Sequence, residues 1–305
     1  MGLNKKATIL VCTCDKYEDL WYPFFFLLDK YWKKCELKIL LNTESKTYSY
    51  GDLNIYTCHN DNTVNETYGE RMINCLKAIN TPYTILFLDD FFIRKPINQN
   101  HISEVIQWMD ENKDIAYFSF GANPRNCIDD GKYNGYVKMQ DIEIYKLNMQ
   151  ACVWKTEKLL NYWRKEDNPW TWELIANCTT FNSKDVFYTV KDRDNSPVSY
   201  GYNDEGMGVY RGKWVIEDVK PLFESNGIFI DYSIRGIYNK ITDKNNYKPS
   251  FKLLKYSIKR VGAKYTVLIC NFYIHKAISL KLRGKCKYND FAAYLTKRKN
   301  KQTQL

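Results

Sequence analysis

Two neighbouring carboxylates, Asp89 and Asp90, end the apolar run of "TILFLDDFFI" (Thr84–Ile93). Side by side they repel, and each favours protonation unless a cation comes between them. Hard divalent cations take oxygen ligands and bridge carboxylates to phosphates. The pair therefore suits a metal–diphosphate site; a helix cap or a solvated turn is the other use that Asp often has. Glu173 lies in "NPWTWE", close to Trp170 and Trp172. Partly apolar surroundings raise a carboxyl toward the pKa that a general base needs. A first-turn glutamate stabilised by the helix macrodipole is the alternative. The tryptophans present flat faces that stack on sugars or pack into a core.

These groups need elements to hold them. Ala7–Cys12, Leu37–Leu41, Ile55–Cys58, Thr84–Leu88 and Ile115–Phe120 read as strands. Pro23 opens a helix whose apolar residues Phe24, Leu27, Leu28, Tyr31 and Trp32 recur at helical spacing. Thr67 and Glu70 have capping-box spacing, so a helix starts at Tyr68 with Met72, Cys75, Leu76 and Ile79 on its buried side. Ile102, Val105, Ile106 and Met109 form another helical stripe. Further on, Gly121–Lys138 and Gly201–Gly212 read as loops, Val153–Trp163 as a helix, and Asn168-Pro169 as the start of a short helix carrying Trp170, Glu173 and Leu174. The alternation of strand and helix predicts an α/β fold with a mainly parallel, covered sheet. Ligands gather beyond the carboxyl ends of such strands. Thr13–Asp15, after the first strand, and Asp89–Asp90 then share one edge.

At 305 residues the chain suits one large α/β unit with an appendage. The start up to Cys12 is too short and mixed for a signal core, and no segment reaches the roughly 18 uncharged apolar residues of a membrane span. Ten scattered cysteines and three histidines, His59, His101 and His275, lack the paired spacing of a zinc site and suit a reducing cytoplasm. The net charge of +10 is concentrated at one end. Lys240–Leu305 holds 17 Lys+Arg against two acids, leaving 28 basic and 33 acidic side chains in the rest. The main body therefore need not bind a polyanion, and without a recognition module nucleic acid is not an expected partner.

From Ala7 to about Gly236 the chain resembles the GT-A glycosyltransferases, the nucleotide-sugar enzymes of bacterial capsule and lipopolysaccharide synthesis. The likeness rests on "TILVCTCDKYEDLWYPFFFLLDKYW", "YGERMINCLKAINTPYTILFLDDFFI", "QACVWKTEKLL…NPWTWE" and "GVYRGKW". It implies a Rossmann-type mixed sheet flanked by helices over residues 1–240; the charge pattern of 241–305 separately reads as a basic helical, membrane-associating extension. The likeness implies that Thr13 and Asp15 line the nucleotide pocket, that Arg71 faces it, and that Asp89 contacts the donor's ribose or sugar. Asp90 aligns with the last aspartate of the family's Asp-x-Asp and would hold Mn2+ or Mg2+. Leu88 stands where the first aspartate belongs, so Arg211 or Lys213 would neutralise the diphosphate instead. Glu173 would act as the base of an inverting single displacement, with Trp170 and Trp172 on the acceptor side. The implied donor is a UDP-sugar and the implied acceptor a lipid-linked saccharide at the inner face of the plasma membrane.

Two other functions are consistent with an α/β nucleotide fold. A nucleotidyltransferase would carry a glycine-rich loop after the first strand, and Thr13–Tyr17 has no glycine. A carbohydrate-binding protein would use the aromatics without turnover. In the basic end, Leu254, Ile258 and Val261 fall on one helical face, with Lys252, Lys255, Lys259 and Arg260 around it. The stretch Tyr265–Ile274 is followed by Lys276, Lys281, Arg283, Lys285 and Lys287. A basic amphipathic segment suits an anionic inner leaflet; a solvated helix lying on the catalytic domain is the other reading.

Overall fold

A single turn, α1 (Leu3–Lys6), leads into β1 (Ala7–Cys12), which is buried at every residue, as a strand covered on both faces must be. The computed structural model describes residues 2–59, 65–121, 126–143, 145–199, 207–239, 242–243 and 251–283. After β1 come α2 (Glu18–Tyr31), β2 (Ile39–Asn42), β3 (Ile55–Thr57), α3 (Tyr68–Ala78), β4 (Tyr83–Leu88), α4 (Gln99–Glu111) and β5 (Ile115–Ser119). The second half holds β6 (Cys127–Ile128), β7 (Tyr136–Met139), β8 (Cys152–Lys155), α5 (Thr156–Tyr162), α6 (Pro169–Leu174), a 3-10 segment at Ala176–Asn182, and β9 (Val186–Val190). A small hairpin of β10 (Val209–Tyr210) and β11 (Lys213–Trp214) precedes α7 (Ile216–Ser225) and α8 (Phe251–Arg283).

Among the described residues one nine-stranded sheet runs in the order β3-β2-β1-β4-β8-β5-β9-β7-β6. The β3-β2-β1-β4 half is wholly parallel, a Rossmann-type arrangement. Side-chain alternation sorts the strands' residues to opposite faces. Ile9 and Val11 pack with Leu27 and Leu28 of α2 and Val105 of α4. Leu10 and Cys12 pack with Met72 and Leu76 of α3 and Leu159 of α5. Helices thus flank a mixed sheet.

The sheet is mixed rather than mainly parallel, because β8 lies antiparallel between β4 and β5, and β7 lies antiparallel to β9. Three of the four β8 residues, Val153, Trp154 and Lys155, fall inside the stretch expected to be helical from Val153; buried cross-strand pairing overrides the helix-forming residues that follow, and α5 begins only at Thr156. The loop expected at Gly121–Lys138 contains the β6–β7 hairpin, whose short strands are hidden by turn residues; residues 122–125 lie outside the description. Helix α2 starts at Glu18, ahead of Pro23, which sits inside it. Both capping boxes form: Thr67 with Glu70 at α3, and Asn168 with Thr171 at α6.

Topology sets the site. β1, β2 and β4 run parallel, so their carboxyl ends meet on one rim. Since Cys152 pairs with Leu86, the chain entering antiparallel β8 arrives on that same rim.

Candidate active site

The residue after β1, Thr13, is buried and commits its hydroxyl to the acidic pair: it donates to Asp89 Oδ2 and accepts from Trp21 Nε1 at 2.8 Å. Asp89 is 3% exposed. Burial, and then the neighbouring Asp90, push its carboxyl well above the ordinary range, against the pull of Thr13 and Arg235. Burial also raises Asp90, opposed by a backbone hydrogen bond and by Arg235. Asp90 Oδ1 is buried with no hydrogen-bond partner. Such an acceptor fits one ligand position on Mn2+ or Mg2+, which commonly bind one or two carboxylates together with substrate phosphates. Among the described residues no group of three His, Cys, Asp or Glu side chains forms a complete metal cage.

Across the rim, α6 carries Glu173. Its Oε1 accepts from the Met149 backbone N–H at 2.8 Å, in the chain entering β8. Burial pushes its pKa up to about 7; the Met149 N–H opposes the rise and the charge of Asp90 adds to it. Asp90 and Glu173 therefore share one electrostatic neighbourhood. Trp170 stands 73% exposed one turn earlier on α6. Trp172 is not an acceptor contact. It is fully buried, stacked on Trp163 at 4.7 Å, and donates from Nε1 to Tyr162 O at 3.2 Å. Facing the opposite way from Trp170 on a short helix, it became the helix's core residue.

Asp15 braces the end of β2 instead of standing free. Its carboxylate accepts from the Glu44 and Ser45 amides at 2.9 and 3.0 Å and from Ser45 Oγ at 2.6 Å. Burial acts to raise its pKa, but these hydrogen bonds outweigh it and hold the group below its ordinary value. Glu44 in turn pairs with Arg71 at 2.7 Å, and the Arg71 guanidinium lies over Tyr68. Two buried polar atoms on this shelf, Arg71 Nε and Asn42 Oδ1, have no partner. Arg211 and Lys213 are placed elsewhere: Arg211 Nη1 donates to Asp243 O at 2.9 Å, and Lys213 Nζ pairs with Asp243 Oδ1 at 2.7 Å. The loop before their hairpin does touch the acidic pair, since the Gly208 N–H donates to Asp90 O at 2.7 Å. The expected loop from Gly201 lies outside the described residues up to 206.

The cation that acts on the pair is Arg235, which no sequence motif marks. It is held by Asp19 through Nε at 2.6 Å and through Nη2, donates to Lys16 O at 3.0 Å, and lies over the Tyr17 ring at 4.2 Å. Tertiary folding alone brings it to the loop after β1. The Met149 N–H was equally hidden, because a backbone donor leaves no trace in residue type.

No protein-family model matches the sequence, and no curated protein matches it. Among solved structures, residues 1–349 of S. aureus TarS align with 92% of this chain and 75% of their own at 12% identity and a TM-score of 0.45. The same protein in complex with UDP-GlcNAc aligns over 68% of this chain and 62% of its own, at 13% identity and a TM-score of 0.42. A CMP:2-keto-3-deoxy-manno-octonic acid synthetase complexed with CTP gives 11% identity, 60% and 88% coverage, and a TM-score of 0.34. At such distances the site's own residues have to carry the function.

Proposed function

We propose that the chain is a glycosyltransferase that moves a sugar from a nucleotide-sugar donor, a UDP-sugar, to a hydroxyl of a lipid-linked saccharide. One observation carries the reading: Glu173, raised to about 7, shares the sheet rim with an acidic pair that holds an unpartnered buried oxygen. A base near neutrality accepts a hydroxyl proton efficiently. In a single displacement, Glu173 takes the acceptor proton, the acceptor oxygen bonds to the anomeric carbon, and the bond to the nucleoside diphosphate breaks with inversion. The Met149 N–H orients Glu173 so that its second oxygen can take the proton. Asp90 would hold Mn2+ or Mg2+, which when bound neutralises the departing diphosphate. Arg235 adds a fixed positive charge beside the pair, and exposed Trp170 offers a face to the acceptor sugar.

The basic helix α8 supports docking on an anionic membrane. Phe251, Leu254 and Ile258 are exposed along it, interspersed with Lys252 and Lys255. No helix among the described residues is long and apolar enough to cross a membrane. The deciding experiment is calorimetric titration with a panel of nucleotide sugars, with and without manganese, followed by assay of donor turnover in the same tubes. Binding with turnover supports a transferase; binding of nucleoside triphosphates alone, or of sugars without turnover, refutes it.

A further inference from the structure

Helix α8 meets the body through polar groups as well as apolar ones. Its outward side carries the exposed Phe251, Leu254 and Ile258, while Arg260 points inward, against the expectation that it joins the solvated cations. Arg260 Nε donates to Asp167 Oδ1 at 3.1 Å, Nη2 to Asp167 Oδ2 at 3.3 Å, and Nη2 also to Tyr162 O at 2.7 Å. The Asp167 side chain is wholly buried and that of Arg260 is 9% exposed. The Tyr256 hydroxyl also donates to Asp167 Oδ1. Asp167 Oδ2 further accepts from the Arg164 N–H at 2.8 Å.

Every one of these groups leads to the helix that carries Glu173. Tyr162 O, which receives Arg260, also receives Trp172 Nε1. Asp167, which Tyr256 and Arg260 both hold, immediately precedes Asn168, whose capping box with Thr171 starts α6. A buried ion pair is a poor source of net stability, because desolvating both charges offsets most of their attraction. What a planar guanidinium gripping a carboxylate with two nitrogens does supply is a fixed distance and angle.

We propose that Arg260 and Tyr256 are positioning residues: through Asp167 and Tyr162 O they set the pose of α6, and hence of Glu173 and Trp170. The kinetic part of this rests on the glycosyltransferase reading; the structural part does not.

The test uses the full chain with Arg260→Met, which keeps length without charge, and the milder Tyr256→Phe. Hydrogen exchange is measured along the backbone. Faster exchange confined to residues 164–176, with 7–12 and 83–88 unchanged, supports the proposal. Unchanged exchange at 164–176 in both variants, or an even rise throughout, overturns it. In the transfer assay, misplacing the base should lower kcat by about a hundredfold while donor affinity stays the same; a wild-type kcat in both variants overturns it, as does a loss of donor affinity matching the loss of rate. If the wild-type chain turns over no nucleotide sugar, the glycosyltransferase reading fails and the exchange measurement alone decides the positioning role.

Discussion

A carboxyl with a pKa of about 7 is half ionised near neutrality, and Glu173 is such a group. In the proposed displacement its ionised form is the active base, so the rate of transfer should fall roughly tenfold per pH unit once the pH drops below that value, as a pH–rate profile of kcat would show. Glu173→Gln should abolish transfer and leave nucleotide binding intact by calorimetry; persistent transfer would make another acid the base. The same shift bears on stability. Because the folded value lies above the ordinary 4.5, the native state binds more protons between these values. Stability from this group is therefore present at low pH and lost as pH rises toward about 7, and ionising it within the fold costs roughly 3 kcal/mol. Thermal melts should show Glu173→Gln gaining on the wild type above pH 7 and not at pH 4. The two tryptophans of α6 should separate cleanly by chemical denaturation. Trp172→Ala empties a fully buried site and should cost about 3–5 kcal/mol, whereas the exposed Trp170→Ala should change stability by less than about 0.5 kcal/mol and weaken acceptor use instead.

Elements were legible wherever local chemistry decides them. Thr67 and Glu70 announced α3, and Thr67→Ala should cost about 1 kcal/mol in a denaturation curve. A second residue of the same turn has a role that the sequence does not show. A Cβ at Gly69 would lie 2.3 Å from Arg164 O and 2.8 Å from Asp167 O, so α3 and the chain before α6 touch backbone to backbone. Gly69→Ala should exceed Thr67→Ala in cost, because backbone has to move. The strands of the parallel half could be read from continuous apolar runs, and the Asp89–Asp90 rim followed from the ends of those runs. β8 could not, since four residues that pair antiparallel with distant strands look locally like the start of α5. The polar shelf escaped for a similar reason: Asp15, Glu44 and Arg71 come from three separate segments, and their partnerships exist only once β1, β2 and α3 are packed. On α8 the helical period was clear but its phase was not, as Leu254 and Ile258 face outward while Val261 packs with Cys178 and Phe181. Its backbone also breaks at Gly262, whose φ of 79° and ψ of 168° are not helical.

Across the whole molecule charge is segregated, with the excess of Lys and Arg beyond residue 240 and a slightly acidic body before it. Lys285, Lys287 and Lys297–Lys301 lie outside the described residues, so the test is best confined to the visible helix. Sedimentation with anionic vesicles should recover the chain, less so as salt is raised, because surface cations contribute about 1 kcal/mol each and are screened. Leu254→Glu with Ile258→Glu should release it without altering the melting temperature; equal binding to neutral vesicles would refute electrostatic docking. The antiparallel β8 has a further consequence. The Met149 N–H that holds Glu173 enters the rim through one short strand flanked by β4 and β5, while the parallel half is complete without it. A change of length or sequence at residues 145–149 would leave the register of β1 to β4 in place, so the Glu173 side of the rim can vary while the Asp89–Asp90 side stays fixed.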